Sequence, residues 1–163
     1  MNIFGTALAD ILNGTGQSDL IYGYGGVDTI NGNSGDDTIR GGGGDDVISG
    51  GFGNDLIRGG NGDDVIDGGY GIDRIYGGRG NDLIRGGFDR DSVLDGGRGH
   101  DTIDYNYTSN AFRIDLAAGT ADNLFAPGSE TITRFESAIG SRGDDRIYGT
   151  AGSIRSGAMT ATT

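Results

Sequence analysis

The chain has no cysteine, no lysine and a single proline in 163 residues. Without cysteine there are no disulfides and no thiolate metal sites. Without lysine there is no Walker A lysine, no Schiff base and no anchor for pyridoxal phosphate. Positive charge is scarce: 12 arginines stand against 22 aspartates and two glutamates, a formal charge of −12. Such a chain is a poor partner for phosphates, which argues against nucleic-acid binding. Apolar runs are a few residues long, far short of the ~20 that a membrane-spanning helix needs. The hydrophobic share is 34%, and low hydrophobicity with net charge of one sign is by itself the composition of a disordered chain. Glycine, by contrast, is abundant at 36 residues, roughly three times its usual share. It follows no every-third-residue pattern, so collagen is excluded.

Periodicity overturns disorder. Aspartate recurs at Asp10, Asp19, Asp28, Asp37, Asp46, Asp55, Asp64, Asp73, Asp82 and Asp91, always nine residues apart. Two residues after each stands an aliphatic side chain, from Leu12 and Ile21 through Ile84 to Val93. Five residues before each stands a glycine, from Gly5 to Gly86. One extra residue then enters near Asp95, and an eleventh copy runs from Gly96 to Asp104. A fixed short period is the signature of a solenoid. Six glycine-rich residues ending in aspartate suit a tight turn with positive φ angles and carbonyls free to face a ligand. The next three, such as Val47-Ile48-Ser49, suit a short strand with its middle side chain inward. Turn, strand, turn, strand makes one coil out of two consecutive repeats. Coils stacked at about 4.8 Å give two parallel sheets enclosing columns of isoleucine.

Gly41 to Ser49 (GGGGDDVIS), Gly50 to Arg58 (GGFGNDLIR) and Gly59 to Asp67 (GGNGDDVID) follow the pattern G-G-x-G-x-D-x-U-x. The chain resembles the repeats-in-toxin (RTX) family over residues 5–104, with a weaker echo at Gly140 to Tyr148. The resemblance implies an all-β fold, a right-handed parallel β-roll (a β-solenoid of about 18 residues per coil, two nonapeptides) with a C-terminal β capping segment.

Two isoleucines per coil are little apolar burial to set against the ordering of a glycine-rich backbone. Stacking also lines up like charges, Asp28 beside Asp46 and Asp64 on one edge, Asp37 beside Asp55 and Asp73 on the other. A divalent cation between successive loops answers both problems. The ligands on offer are carboxylate and carbonyl oxygens in flexible loops, which favours Ca²⁺ over zinc or copper, and over Mg²⁺, which holds its waters. By resemblance the metal ligands are Asp19, Asp28, Asp37, Asp46, Asp55, Asp64, Asp73, Asp82, Asp91 and Asp101. Loop carbonyls join them at Gly42 and Gly44, Gly51 and Gly53, Gly60 and Gly62, Gly69 and Gly71, and Gly78 and Gly80. Equivalent groups one coil later complete each site. About five to eight ions are expected, weakest at the ends. Gly5 to Asp10 (GTALAD) and Gly14 to Asp19 (GTGQSD) lack the full glycine pattern, and the extra residue near Asp95 threatens the last gap.

Three regions follow: residues 1–104 form the repeat roll, 105–139 a strand-rich spacer and cap, and 140–163 a degenerate repeat and tail. Ala111 to Leu116 alternates with Phe112, Ile114 and Leu116 on one face, and Thr131 to Ile139 is apolar at Ile132, Phe135 and Ile139. A loop around Ala126-Pro127-Gly128 joins them, and the pair covers the open end of the stack with no chemistry of its own. The tail Ser153 to Thr163 drops the pattern and reads as export signal, frayed coil or scar. No basic region precedes the first apolar residues, so no Sec signal is expected. The resemblance implies an exported, extracellular protein that folds where calcium is plentiful.

The expected function is a non-catalytic calcium-binding module that folds on binding Ca²⁺, for export and folding or as an extracellular spacer. The alternative is a module for anionic polysaccharide or cell surfaces. It would use a column of Tyr22, Arg40, Arg58 and Tyr76, with Arg74 nearby. Ile11, Val47, Val65 and Leu83 form an apolar stripe on the other sheet, and end-to-end self-association is a third option. His100 and the non-repeat acids Asp36 and Asp63 of the pairs Asp36-Asp37 and Asp63-Asp64 read as solvated surface, and Arg142-Gly143-Asp144 reads as part of the degenerate repeat.

Overall fold

A computed structural model describes residues 1–125 and 128–149 and the short strand Ile154–Arg155. Among the described residues every regular element is a strand, and no helix is long and apolar enough to cross a membrane. The first strands are β1 (Asn2–Phe4), β2 (Ile11–Asn13), β3 (Leu20–Tyr22) and β4 (Thr29–Asn31). The central ones are β5 (Thr38–Gly43), β6 (Val47–Phe52), β7 (Leu56–Asn61), β8 (Val65–Tyr70) and β9 (Arg74–Arg79). Then come β10 (Leu83–Gly87), β11 (Val93–Arg98), β12 (Thr102–Asp104), β13 (Phe112–Asp115) and β14 (Thr120–Asn123). The last described strands are β15 (Ser129–Thr133), β16 (Ser137–Ile139), β17 (Arg146–Tyr148) and β18 (Ile154–Arg155).

Odd strands β1 to β11 pair in parallel in one sheet, and even strands β12 down to β2 in the other. The chain is therefore a β-roll of about six turns. Two isoleucine columns meet between the sheets. Ile21, Ile39, Ile57 and Ile75 come from one, and Ile30, Ile48, Ile66 and Ile84 from the other, all essentially without solvent contact. Central strands run six residues rather than three, because the glycines after the strand triplet join the ladder, as in Gly42 opposite Gly60 and Gly51 opposite Gly69.

The extra residue enters earlier than the sequence suggests. Gly87 still lies opposite Gly69, two full repeats back, whereas Val93 lies opposite Arg74, one residue further back than that. The slip is taken up just after Asp91, and Leu94 rather than Val93 fills the core position. Both are aliphatic, so the pattern alone could not choose between them.

The cap begins with Tyr105, fully buried and stacked on Phe112 at 4.4 Å. Strands β13, β14 and β15 form an antiparallel meander, and β15 then lies parallel to β11. Strand β16 adds to β12 in the opposite sheet, so residues 129–139 run along both edges of the last coil. In β16 Ala138, opposite Ile103, points inward and the expected Ile139 is half-buried. Arg134, at φ 56°, breaks the alternation between β15 and β16. Ile147 of the degenerate repeat packs beside Ile114. Residues 126 and 127 of the expected loop, and the tail apart from β18, lie outside the described residues.

Candidate metal centre

Each repeat aspartate turns inward at the end of its loop. One carboxylate oxygen reaches back one coil: Asp46 Oδ1 accepts the Asp28 amide at 2.9 Å, and Asp64 Oδ1 accepts that of Asp46 at 2.9 Å. The other edge repeats this with Asp55 and Asp73 at 2.8 Å. The second oxygen, Oδ2, has no hydrogen-bond donor at Asp28, Asp37, Asp46, Asp55, Asp64, Asp73, Asp82, Asp91 and Asp101, and all nine side chains are buried. An unpaired buried carboxylate oxygen is costly, so a column of them calls for a cation or a proton.

The first glycine of each loop shows what surrounds that oxygen. A methyl group built on Gly41 would lie 2.3 Å from Asp46 Oδ2 and 2.7 Å from the carbonyl oxygen of Gly59 in the next coil. Two acceptors thus face one point with no donor to Oδ2. The same pair recurs at Gly23, Gly59 and Gly77 on this edge and at Gly32, Gly50 and Gly68 on the other. Counted this way, the repeat loops offer four cradles on one edge and three on the other. The last of the four, between Asp82 and Gly96, is undisturbed by the extra residue. From the loop at Gly23 to that at Gly96, the second and fourth loop positions hold positive φ, Asp89 excepted, as at Gly60 (133°) and Gly62 (126°), where a methyl would run into carbonyls of the preceding coil. Among the described residues no three His, Cys, Asp or Glu side chains converge on one point. The ligand set therefore joins few carboxylates with several carbonyls, a donor set that fits Ca²⁺.

Burial pushes the carboxyl groups of Asp46, Asp73 and Asp82 up to about 6, and those of Asp55 and Asp64 up to about 7. The amide bonds from the coil behind offset part of this. Asp91 is pushed up to about 8, and Asp37 and Asp101 also rise, again chiefly through burial. Asp19 goes the other way. The amino group of Met1, 2.7 Å from Oδ1, and hydrogen bonds from Thr15 hold it below the usual carboxylate range.

Several features escaped the sequence reading. In the first two loops a threonine takes the second position. Thr6 donates its amide and hydroxyl to Asp10 Oδ2 at 2.6 and 2.9 Å, and Thr15 does the same to Asp19 Oδ2 at 2.6 and 2.8 Å. Asp19, placed among the expected ligands, thus already has donors on that oxygen. The acids next to the repeat aspartates are exposed but engaged. Asp45 Oδ1 accepts the Asp63 amide at 2.8 Å, and Asp63 Oδ1 accepts that of Asn81 at 2.7 Å, an outer ladder that reaches forward where the inner one reaches back. Phe52, Tyr70 and Phe88 stack along one edge with centroids 4.9 and 4.5 Å apart. Their spacing of one coil was readable in advance.

The Tyr22, Arg40, Arg58 and Tyr76 column forms as expected, but internally paired. Arg40 lies over the Tyr22 ring at 5.1 Å and Arg58 over Tyr76 at 5.2 Å. Ile11 and Val47 of the other stripe are exposed, while Val65 and Leu83 are half-buried. His100 Nε2 lies 2.9 Å from Ser137 Oγ at the surface.

No curated protein matches the chain. A family model of the RTX calcium-binding nonapeptide repeat matches residues 4–39, 24–57, 31–66, 58–93, 89–106 and 135–153, the last spanning the degenerate repeat. With the unpaired aspartate oxygens stacked at the same one-coil interval, these matches carry one conclusion: the chain belongs to the RTX calcium-binding nonapeptide repeat family and is a calcium-binding β-roll.

Proposed function

We propose that this chain is a metal-folded module that works outside the cell, as an export-and-folding unit or spacer. The observation that carries this is the row of seven cradles, each pairing a buried, donorless Asp Oδ2 with a carbonyl of the next coil. Asp28, Asp46, Asp64 and Asp82 would hold ions on one edge, and Asp37, Asp55 and Asp73 on the other. Calcium supplies the positive charge that lets these carboxylates lie stacked and ionised, so folding and metal binding form one equilibrium. Extracellular repeats of this kind need only weak sites, about 10⁻⁴–10⁻³ M, because calcium outside the cell is abundant. What supports this reading over a polysaccharide module is that Arg40 and Arg58 already cover the tyrosine faces on which a sugar would stack.

The test is far-UV circular dichroism during a calcium titration, with magnesium as control. A cooperative coil-to-β transition with calcium alone is the expected outcome. A chain already folded in chelator, or indifferent to calcium, would overturn the reading.

A further inference from the structure

At the end of the roll a piece of the cap takes over the work of a repeat loop. Gly96 to Asp101 is the last full loop on its edge, and among the described residues no glycine-rich loop follows it there. Nevertheless a methyl group built on Gly96 would lie 2.3 Å from the carbonyl oxygen of Arg134 and 2.7 Å from Asp101 Oδ2. The Arg134 carbonyl stands where the first glycine of a next loop would place its own. Glu136 completes the likeness: its Oε2 accepts the Asp101 amide at 2.8 Å, just as Asp101 Oδ1 accepts the Asp82 amide at 2.9 Å. Asp101 has no exposed surface, and its Oδ2 has no donor.

Three residues thus reproduce the ends of a six-residue loop. Phe135 between them is buried in the core and anchors the segment. Arg134 adopts φ 56°, a left-handed conformation that a non-glycine residue takes only where its surroundings impose it. Its guanidinium pairs with Asp95 and leaves the main-chain carbonyl to face Asp101.

The opposite edge ends differently. Glu130 also takes the place of a next aspartate, bound by the Asp91 amide and, at 2.6 Å, by the Tyr105 hydroxyl. Yet a methyl on Gly86 meets Asp91 Oδ2 at 2.1 Å, and among the described residues no carbonyl of a following segment comes within 3.2 Å of it, against 2.3 Å at Gly96. The only two glutamates of the chain therefore close the two aspartate columns, one beside a second oxygen and one beneath a tyrosine.

We propose that Asp101, the Arg134 carbonyl and Glu136 form one additional Ca²⁺ site, built by the cap rather than by the repeat, which fastens residues 134–139 to the roll. The proposal rests on the calcium reading above. It is tested by calcium stoichiometry from isothermal titration, with hydrogen–deuterium exchange over residues 134–139, on wild type, Glu136→Gln and Glu130→Gln. Glutamine at 136 can still accept the Asp101 amide, so the contact survives while the charge is lost.

The expected result is one ion fewer in Glu136→Gln, with loss of calcium-dependent protection at 134–139 and unchanged protection in residues 38–87. Glu130→Gln should keep the wild-type number. An unchanged ion count in Glu136→Gln, or loss of an ion in both variants, overturns the cap site and leaves the calcium reading intact. A wild type that binds no calcium overturns both. Should Glu136→Gln not fold, Asp101→Asn gives the deciding measurement. It should retain the ions between Asp28 and Asp64 and lose protection at 134–139, and protection kept there overturns the site.

Discussion

In the first coil the repeat aspartates meet a threonine, and in the central coils they meet another row of oxygens. Asp10 and Asp19 each receive an amide and a hydroxyl on Oδ2, whereas the same atom in Asp28 through Asp82 has no donor at all. The difference lies at the second loop position. Threonine there has ordinary backbone angles and brings two donors to the carboxylate. From the third loop on, the position has positive φ, even where it is Tyr24 (74°) or Asn33 (72°). Backbone conformation, more than the glycine that usually provides it, separates a loop that closes on itself from one that needs a cation.

The largest test of this contrast uses pH in calcium-free protein. The folded carboxyls of Asp46, Asp55, Asp64, Asp73 and Asp82 lie at about 6–7 against an ordinary 3.8, raised by burial. The folded state then binds more protons than the unfolded one between pH 4 and 7. Stability from these groups is full below about 4 and is lost as pH rises through about 6–7. The calcium-free chain should therefore gain β-structure on acidification and lose it towards neutrality, and calcium should abolish the loss. Circular dichroism from pH 4 to 8 reads this, and a flat profile would break the comparison.

A smaller effect separates Asp64→Asn from Asp19→Asn. The central variant should raise the calcium midpoint about tenfold, roughly 1.4 kcal/mol, and bind fewer ions. The first-coil variant should leave the ion count alone. Equal loss in both would mean that Asp19 is a ligand despite Thr15. Smallest of all, Thr15→Val removes one hydroxyl donor and should cost about 0.5–1.5 kcal/mol, seen as a modest shift in urea midpoint. A gain of one ion in that variant would show that the hydroxyl stands where a cation otherwise goes.

The strict nine-residue period made the coil, the two sheets, the isoleucine columns and the aspartate edges readable without coordinates, since every coil solves the same packing problem. Readability ended where the period did. Val93 and Leu94 are adjacent aliphatics, and only pairing with Arg74 and Ile75 decides which turns inward. Ala138 displaces Ile139 because Arg134 resets the alternation before β16. Thr6 and Thr15 looked like lapses from the glycine pattern, because their function appears only when the side chain reaches back to its own aspartate. The places of Glu130 and Glu136 depend on the fold-back of the cap, which no local spacing encodes.

The stack of Phe52, Tyr70 and Phe88 has an optical consequence. The chain has no tryptophan, so its near-ultraviolet signal comes from tyrosine and phenylalanine alone. Tyr70 lies between two rings belonging to the coils before and after it, nearly parallel to both, at 7° and 16°. Fixed asymmetric surroundings of this kind give an aromatic chromophore a near-ultraviolet dichroic band that vanishes when packing loosens. Three neighbouring coils thus carry a built-in reporter of their own stacking, readable without a label while far-ultraviolet light follows the backbone.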